Sequence, residues 1–424
     1  MKRELAEAVV ACLRLSADAG DTEQLRRFGP RDWQRTLTWL DDSGLTLYLL
    51  QHLKNVHATD VLSPEVLAQL EGRVVANRLR WEYLAEQLDC INQGFERAGI
   101  AFAVVKGLSL VPDYCPDALL RAPSDLDYLV NRQSLPHAQQ VLEAAGYRLT
   151  GVSDGSSKTE FKFCKPNSRR AIVSDSPYSV ETAPLIELHV NFWNPGNGVP
   201  IQEPVFPLQR TILHSWRGLR FPVLNDRDAF LVQIIHVFEH VLDGWLKLCW
   251  LLEIGFFMSR RGCDSDFWSE VDSSMQAVPR LVECAAVVIE LAKLFFASPS
   301  PDVAENWMHA LCPPVQLWLN VHARTWVFDD HPLHRSSFFP TAKLALFLYQ
   351  EFIPDPKTRR TLIRQRLFPL KRPAQISFPL DGKPEIVMTA FRLHWRFVLD
   401  RIIFHAGSSL RYIWEVPRWR RLMS

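Results

Sequence analysis

Asp125 and Asp127 stand two residues apart in the run Asp125-Leu126-Asp127-Tyr128-Leu129. In a strand, side chains at i and i+2 project from one face, so both carboxylates point together. Leu126, Tyr128 and Leu129 want burial, and burying two like charges side by side is costly unless a cation neutralises them. A hard divalent ion bound through oxygen meets that need, and Mg²⁺ commonly takes one or two carboxylates and completes its shell with substrate phosphates. Upstream, the β-prone residues Phe102, Val104 and Val105 end at Lys106-Gly107. The backbone from Gly107 to Ser109 can approach a phosphate closely, because glycine has no side chain to block it. Lys106 and Arg121 are candidates for neutralising phosphate charge or for salt bridges to the aspartates. A solvated strand end explains an isolated Asp-x-Asp without any of this chemistry.

Further along, Pro184-Leu185-Ile186-Glu187-Leu188-His189-Val190-Asn191-Phe192 alternates apolar and polar residues. Glu187 and His189 therefore share one face of a strand while Ile186, Leu188 and Val190 take the other.

Taken in order, Lys106-Gly107, Arg121, Ser124-Asp125-Leu126-Asp127-Tyr128-Leu129 and Glu187-Leu188-His189 resemble the uncharacterised bacterial nucleotidyltransferase-like family of the DNA-polymerase-beta-type nucleotidyltransferase superfamily. The resemblance covers roughly residues 30 to 260. It implies that Asp125 and Asp127 bind metal, that Glu187 completes the metal-binding set with His189 beside it, and that the turn holding Gly107 and Ser109 cradles a triphosphate. The activity implied is Mg²⁺-dependent, or Mn²⁺-dependent, transfer of a nucleoside monophosphate from an NTP to a hydroxyl on a protein, an RNA or a small molecule. Two metals that stabilise attacking and leaving oxygens account for catalysis in such displacements. The same constellation also serves phosphoryl transfer from the NTP, and a non-catalytic member would only bind a ligand or a protein there.

The fold expected is α+β: a small, partly antiparallel mixed sheet backed by helices and flanked by helical regions. Residues 1–98 read as an N-terminal helical region, 99–194 as the catalytic unit, and 195–424 as a mostly helical region with a basic, aromatic tail. Ser63-Pro64-Glu65 starts a long helix that Gly99 stops, and Trp81, Leu84, Leu88, Ile91 and Phe95 form its apolar stripe. A helix from Ser134 to Gly146, a loop over 151–157 and short strands over 159–164 and 170–173 lead to the Glu187 strand. After the Pro/Gly-rich connector 195–207, the pattern is helical.

The helix opened by Asp226 contains His236-Val237-Phe238-Glu239-His240, which matches H-x-x-E-H, a zinc-peptidase pattern of two histidines and a glutamate base. A third protein ligand is needed and none is evident, and three fixed positions recur by chance in a chain with 13 histidines. The alternatives are that His236 and His240, with His189 and Lys247, line the cleft wall, or that they form a satisfied polar helix edge. In the C-terminal third, Lys357 to Pro373 carries seven cationic side chains and no acid, and Arg411 to Arg421 interleaves arginines with Tyr412, Trp414 and Trp419. Such groups bind nucleic acid or an anionic surface, or simply form a solvated face and a packed tail.

The whole chain adds bounds. Its 424 residues hold two or three domains, and 47% hydrophobic with 22% charged residues is ordinary globular composition. A net charge of +1 leaves any contact with nucleic acid to local patches. Eight scattered cysteines with no Cys-x-x-Cys pair fit reduced thiols in a cytoplasm rather than a zinc ribbon or disulfide scaffold. The N-terminus reads as an amphipathic helix, not a signal peptide. No uninterrupted apolar run reaches the ~18 residues that a spanning helix needs.

Overall fold

The computed structural model describes residues 2–123, 125–152, 159–165, 177–178, 184–194, 198–202, 204–328, 343–369 and 384–424. It opens with the helices α1 (Arg3–Cys12), α2 (Ala19–Glu23), α3 (Pro30–Ser43) and α4 (Thr46–Asn55). Helix α5 (Pro64–Arg97) follows: Ser63 caps it by accepting from the Val66 amide, Pro64 presets the first turn, and Gly99 turns the chain at a φ of 66°. Its stripe of Trp81, Leu84, Leu88, Ile91 and Phe95 is buried, as the spacing predicts.

The sheet comprises β1 (Phe102–Val105), β2 (Asp125–Val130), β3 (Arg148–Val152), β4 (Glu160–Cys164), β5 (Leu185–His189), β6 (Ile212–Trp216) and β7 (Leu219–Val223), with α6 (Leu135–Ala144) between β2 and β3. Strand order is β3-β4-β5-β2-β1-β7-β6. The β2–β5 and β1–β7 pairs are parallel and the remaining pairs antiparallel, so the mixed α+β class expected from the pattern holds. One sheet face carries Phe102, Val104, Leu126, Tyr128, Phe161, Phe163, Ile186 and Leu188, packed with the α5 stripe and with Ala138 and Leu142 of α6. Each fully buried Leu or Phe there contributes roughly 1.5–3 kcal/mol. This core fixes the sheet, and the opposite face is left for polar groups.

The pattern after Pro207 reads as helical, yet β6 and β7 form a hairpin that extends the sheet through β1. Arg217 and Gly218, at φ of 46° and 86°, supply the two positive-φ positions of a tight hairpin turn. The strand predicted over 170–173 and most of the loop over 151–157 lie outside the described residues.

Helices α7 (Asp226–Asp243), α8 (Leu248–Arg261), α9 (Ser265–Gln276), α10 (Leu281–Phe296) and α11 (Val303–His309) come next. One compact unit takes Met1–Asn197, Ile201–Glu239 and Leu246–Leu311, so the sheet and both its N-terminal and following helices belong together.

A second unit takes Gly198–Pro200, His240–Trp245 and Cys312–Ser424. It holds α12 (Pro313–Val321), α13 (Ala323–Val327), α14 (Ala345–Tyr349), α15 (Pro356–Leu367) and α16 (Pro384–Met423). Its basic and aromatic residues divide: Trp419 and Tyr412 stack on Phe347, and Arg366 pairs with Asp243, whereas Trp414 is 85% exposed. Among the described residues no helix is long and apolar enough to cross a membrane.

Candidate functional site

Strand register brings the acidic side chains together. In the parallel β2–β5 pair Asp127 stands opposite Glu187 and Leu129 opposite His189; in the antiparallel β4–β5 pair Lys162 stands opposite Glu187 and Glu160 opposite His189. Side-chain alternation then puts Asp127, Glu160, Lys162, Glu187 and His189 on the face opposite the core. Ligating atoms of Asp127, Glu187 and His189 all lie within 4.8 Å of one another, and all three residues are buried; among the described residues no other such group of three comes as close.

Two lysines hold the cluster. Lys106 donates from Nζ to Asp127 Oδ1 at 2.9 Å and stands 3.3 Å from His189 Nε2, which itself lies 2.8 Å from the same Asp127 oxygen. Lys162 donates to Glu187 Oε1 at 2.6 Å and pairs with Glu160 at 2.9 Å. Burial alone would raise the Asp127 carboxyl, but the Lys106 ammonium and His189 overcome it and hold the group below the usual carboxylate range. Glu187 goes the other way: burial first, then the Asp127 charge, push it up to about 7. Burial and the neighbouring Lys106 charge lower His189, so its imidazole is neutral near pH 7.

The turn after β1 is unusual. Lys106 has φ 54° and ψ −156°, a region almost reserved for glycine, where a side-chain-bearing residue costs about 1–3 kcal/mol. The Ser109 amide and hydroxyl both donate to the Lys106 carbonyl, at 2.9 and 2.7 Å, which closes the turn. A Cβ added at Gly107 would meet nothing within 4 Å, so the space beside that residue is open.

Arg121, expected at the phosphates or the aspartates, is instead engaged from below the turn. Its Nη1 lies 3.2 Å from Glu253 Oε2 of α8 and 3.4 Å from the Gly107 carbonyl. Tyr48 donates to the other Glu253 oxygen at 2.8 Å. Helix α5 clamps the segment leading into β2: Asn77 donates to the Leu119 and Arg121 carbonyls, Trp81 to the Arg121 carbonyl, and Arg80 to the Pro123 carbonyl. The long helix thus aims the aspartate strand as well as packing beneath it.

Asp125 faces the same way as Asp127 but lies outside the close group, for two reasons. It stands opposite Leu185 rather than a carboxylate, and two residues of strand separate it from Asp127 by about 6.6 Å. Burial, then Asp127 and Glu187, raise its carboxyl to about 6, while Lys106 and Lys247 draw it back down. Lys247, expected on the cleft wall, also acts on Asp42 and Glu253. The His236 ring packs edge-on against Trp250 and the His240 ring against Trp245, both within 5 Å, and among the described residues no third ligand joins the pair.

The residues that sequence reading passed over are Glu160, Lys162 and Arg80. Glu160-Phe161-Lys162-Phe163 alternates as cleanly as the Glu187 strand, and that alternation was the available signal for the first two. Nothing local marks Arg80.

Residues 29–297 match a family described as uncharacterised nucleotidyltransferase. The chain belongs to that family. The matched stretch spans all seven strands and reaches the end of α10, so this family member carries Lys106, Arg121, Asp127, Glu187, His189 and Glu253 within the shared region. Within the second unit, Gly198–Pro200 and His240–Trp245 fall inside the match and Cys312–Ser424 lies beyond it. No curated protein matches the chain.

Proposed function

We propose that this chain transfers a nucleoside monophosphate from an NTP to a hydroxyl-bearing acceptor on the polar face of β2, β4 and β5. The observation that carries the reading is the register pairing of Asp127 with Glu187, with His189 completing a buried group whose ligating atoms lie within 4.8 Å. Paired carboxylates of this kind fit Mg²⁺ or Mn²⁺, which prefer oxygen ligands. Asp127 and Glu187 would hold such an ion, with Asp125 and His189 beside them. Bound there, it supplies neutralisation of phosphate charge and a more acidic acceptor hydroxyl.

The chain's own residues do the rest. The open turn at Gly107 admits the triphosphate, and Lys106 supplies positive charge to it. Arg121 keeps that turn in place through the Gly107 carbonyl, and Glu253 keeps Arg121 in place. The acceptor oxygen forms a bond to the α-phosphorus, the bond to the bridging oxygen breaks, and pyrophosphate leaves. The acceptor proton departs on the Glu187 side. Eight free thiols suit a reducing compartment, so we place the reaction in the cytoplasm.

The reading is tested by incubating the purified chain with each NTP and Mg²⁺, with water as the slow acceptor. Pyrophosphate with NMP supports nucleotidyl transfer. Orthophosphate with NDP means that the same site moves the terminal phosphoryl group, and NTP binding without either product means a binding protein.

A further inference from the structure

The Lys106 ammonium stands against Asp127 and His189, two members of the buried group whose atoms could hold a metal ion. Its Nζ is 2.9 Å from Asp127 Oδ1 and 3.3 Å from His189 Nε2, and those two atoms are 2.8 Å apart. Lys106 and Asp127 side chains are 13% and 5% exposed, so water does little to screen the pair. A buried carboxylate without a counter-charge is costly, and Lys106 provides that charge from within the chain.

We infer that Lys106 is a built-in counter-ion that exchanges with a divalent metal ion at Asp127: the ammonium holds the carboxylate in the metal-free protein and must withdraw before the ion can bind. The inference rests on the metal-binding part of the function proposed above. An ammonium at hydrogen-bond distance from Asp127 and a dication held by the same carboxylate would stand within a few ångströms of each other, where like charges repel strongly in a dry site. The flexible four-carbon stem of lysine allows the withdrawal. Charge balance agrees in sign: Asp125, Asp127, Glu160 and Glu187 face Lys106 and Lys162, so withdrawing Lys106 leaves an excess of acidic groups that a divalent ion offsets. The backbone agrees as well, since glycine would adopt the Lys106 dihedral angles freely, whereas lysine is held there against its preference while its ammonium reaches Asp127.

The test uses the full chain and Mn²⁺ alone, without nucleotide. Binding is read by electron paramagnetic resonance, and stability by thermal unfolding in EDTA and in Mn²⁺. Lys106→Met should bind Mn²⁺ at least about tenfold more tightly than the wild type, because the competing charge is gone. Its unfolding midpoint should fall in EDTA and recover when Mn²⁺ is added. Lys106→Gly, which also releases the backbone, should show the same tightening with a smaller loss in EDTA, and it serves if the methionine variant folds poorly. Adding Asp127→Asn to either variant should abolish the gain. Equal Mn²⁺ affinity in the wild type and both variants overturns the exchange but leaves the metal site standing. No Mn²⁺ binding in any of them overturns both, and a gain that survives Asp127→Asn overturns the exchange because the ion then binds elsewhere.

Discussion

Asp127 and Glu187 face each other across two parallel strands, yet their carboxyls are driven in opposite directions. Asp127 has the Lys106 ammonium and His189 on one oxygen; Glu187 shares Lys162 with Glu160. One face of one sheet therefore holds a firmly ionised carboxylate beside one that is easily protonated.

The aspartates should respond differently to neutralisation. In metal-free protein, Asp127→Asn removes the partner of Lys106 and should lower stability, while Asp125→Asn removes a crowded charge and should raise it by about 1–3 kcal/mol at pH 7.5. The sign follows from Asp125: its folded carboxyl, raised to about 6 from 3.8, binds its proton more tightly than the unfolded chain does, so its ionisation erodes stability as pH rises through that window. The Asp125→Asn gain should vanish below about pH 4, and denaturant melts at pH 4 and 7.5 measure it. Both variants should lose metal-dependent NTP turnover, Asp127→Asn the more completely.

Glu187→Gln should reduce kcat for NTP turnover by roughly a hundredfold or more while leaving KM nearly unchanged, as when an interaction made mainly in the transition state is removed. Steady-state kinetics decide it, and unchanged kcat would remove Glu187 from the reaction.

Arg121 and Glu253 form a buried ion pair, 14% and 2% exposed. Glu253→Gln alone should cost about 3–5 kcal/mol, since the arginine is left buried without its charge partner. The double variant Arg121→Met with Glu253→Leu should recover much of that loss. Chemical denaturation of the single and double variants measures the coupling, and additive effects would mean that the pair holds nothing together.

In the second unit, Lys343 donates to the Leu367 carbonyl and the Ser409 hydroxyl, and burial, with Arg401 nearby, lowers its ammonium to about 8 from 10.5. The unfolded chain thus binds this proton more tightly, and the Lys343 contribution to stability rises with pH between those two values. Thermal melts of the wild type and Lys343→Met should diverge in favour of the wild type from pH 8 to 10. Parallel melting curves across that range would count against the assignment.

Strand chemistry was legible where alternation was clean. Asp125-Leu126-Asp127 and Glu187-Leu188-His189 announce their faces, and the α5 stripe announces its core, because these patterns are local. Register is not local: nothing in either strand says that Asp127 meets Glu187 while Asp125 meets Leu185, and this decides which carboxylates sit within reach of each other. The β6–β7 hairpin stayed hidden because Pro222 interrupts the second strand and His214 and Ser215 dilute the first. Arg121 reads as a candidate for neutralising phosphate charge, and its acidic partner Glu253 has no local signal because it comes from α8, far along the chain.

The Arg121–Glu253 pair also has a consequence for how the protein is made. Synthesis runs from the N-terminus, so β1, β2 and the turn at Gly107 leave the ribosome well before α8. Until Glu253 emerges, Arg121 has no acid to meet in its buried seat, and the loop it supports cannot settle at low cost. A nascent chain halted after β7 would carry every proposed ligand and still lack the acid that seats Arg121 beneath their turn. Completion of α8 is therefore the step in synthesis at which the site can close.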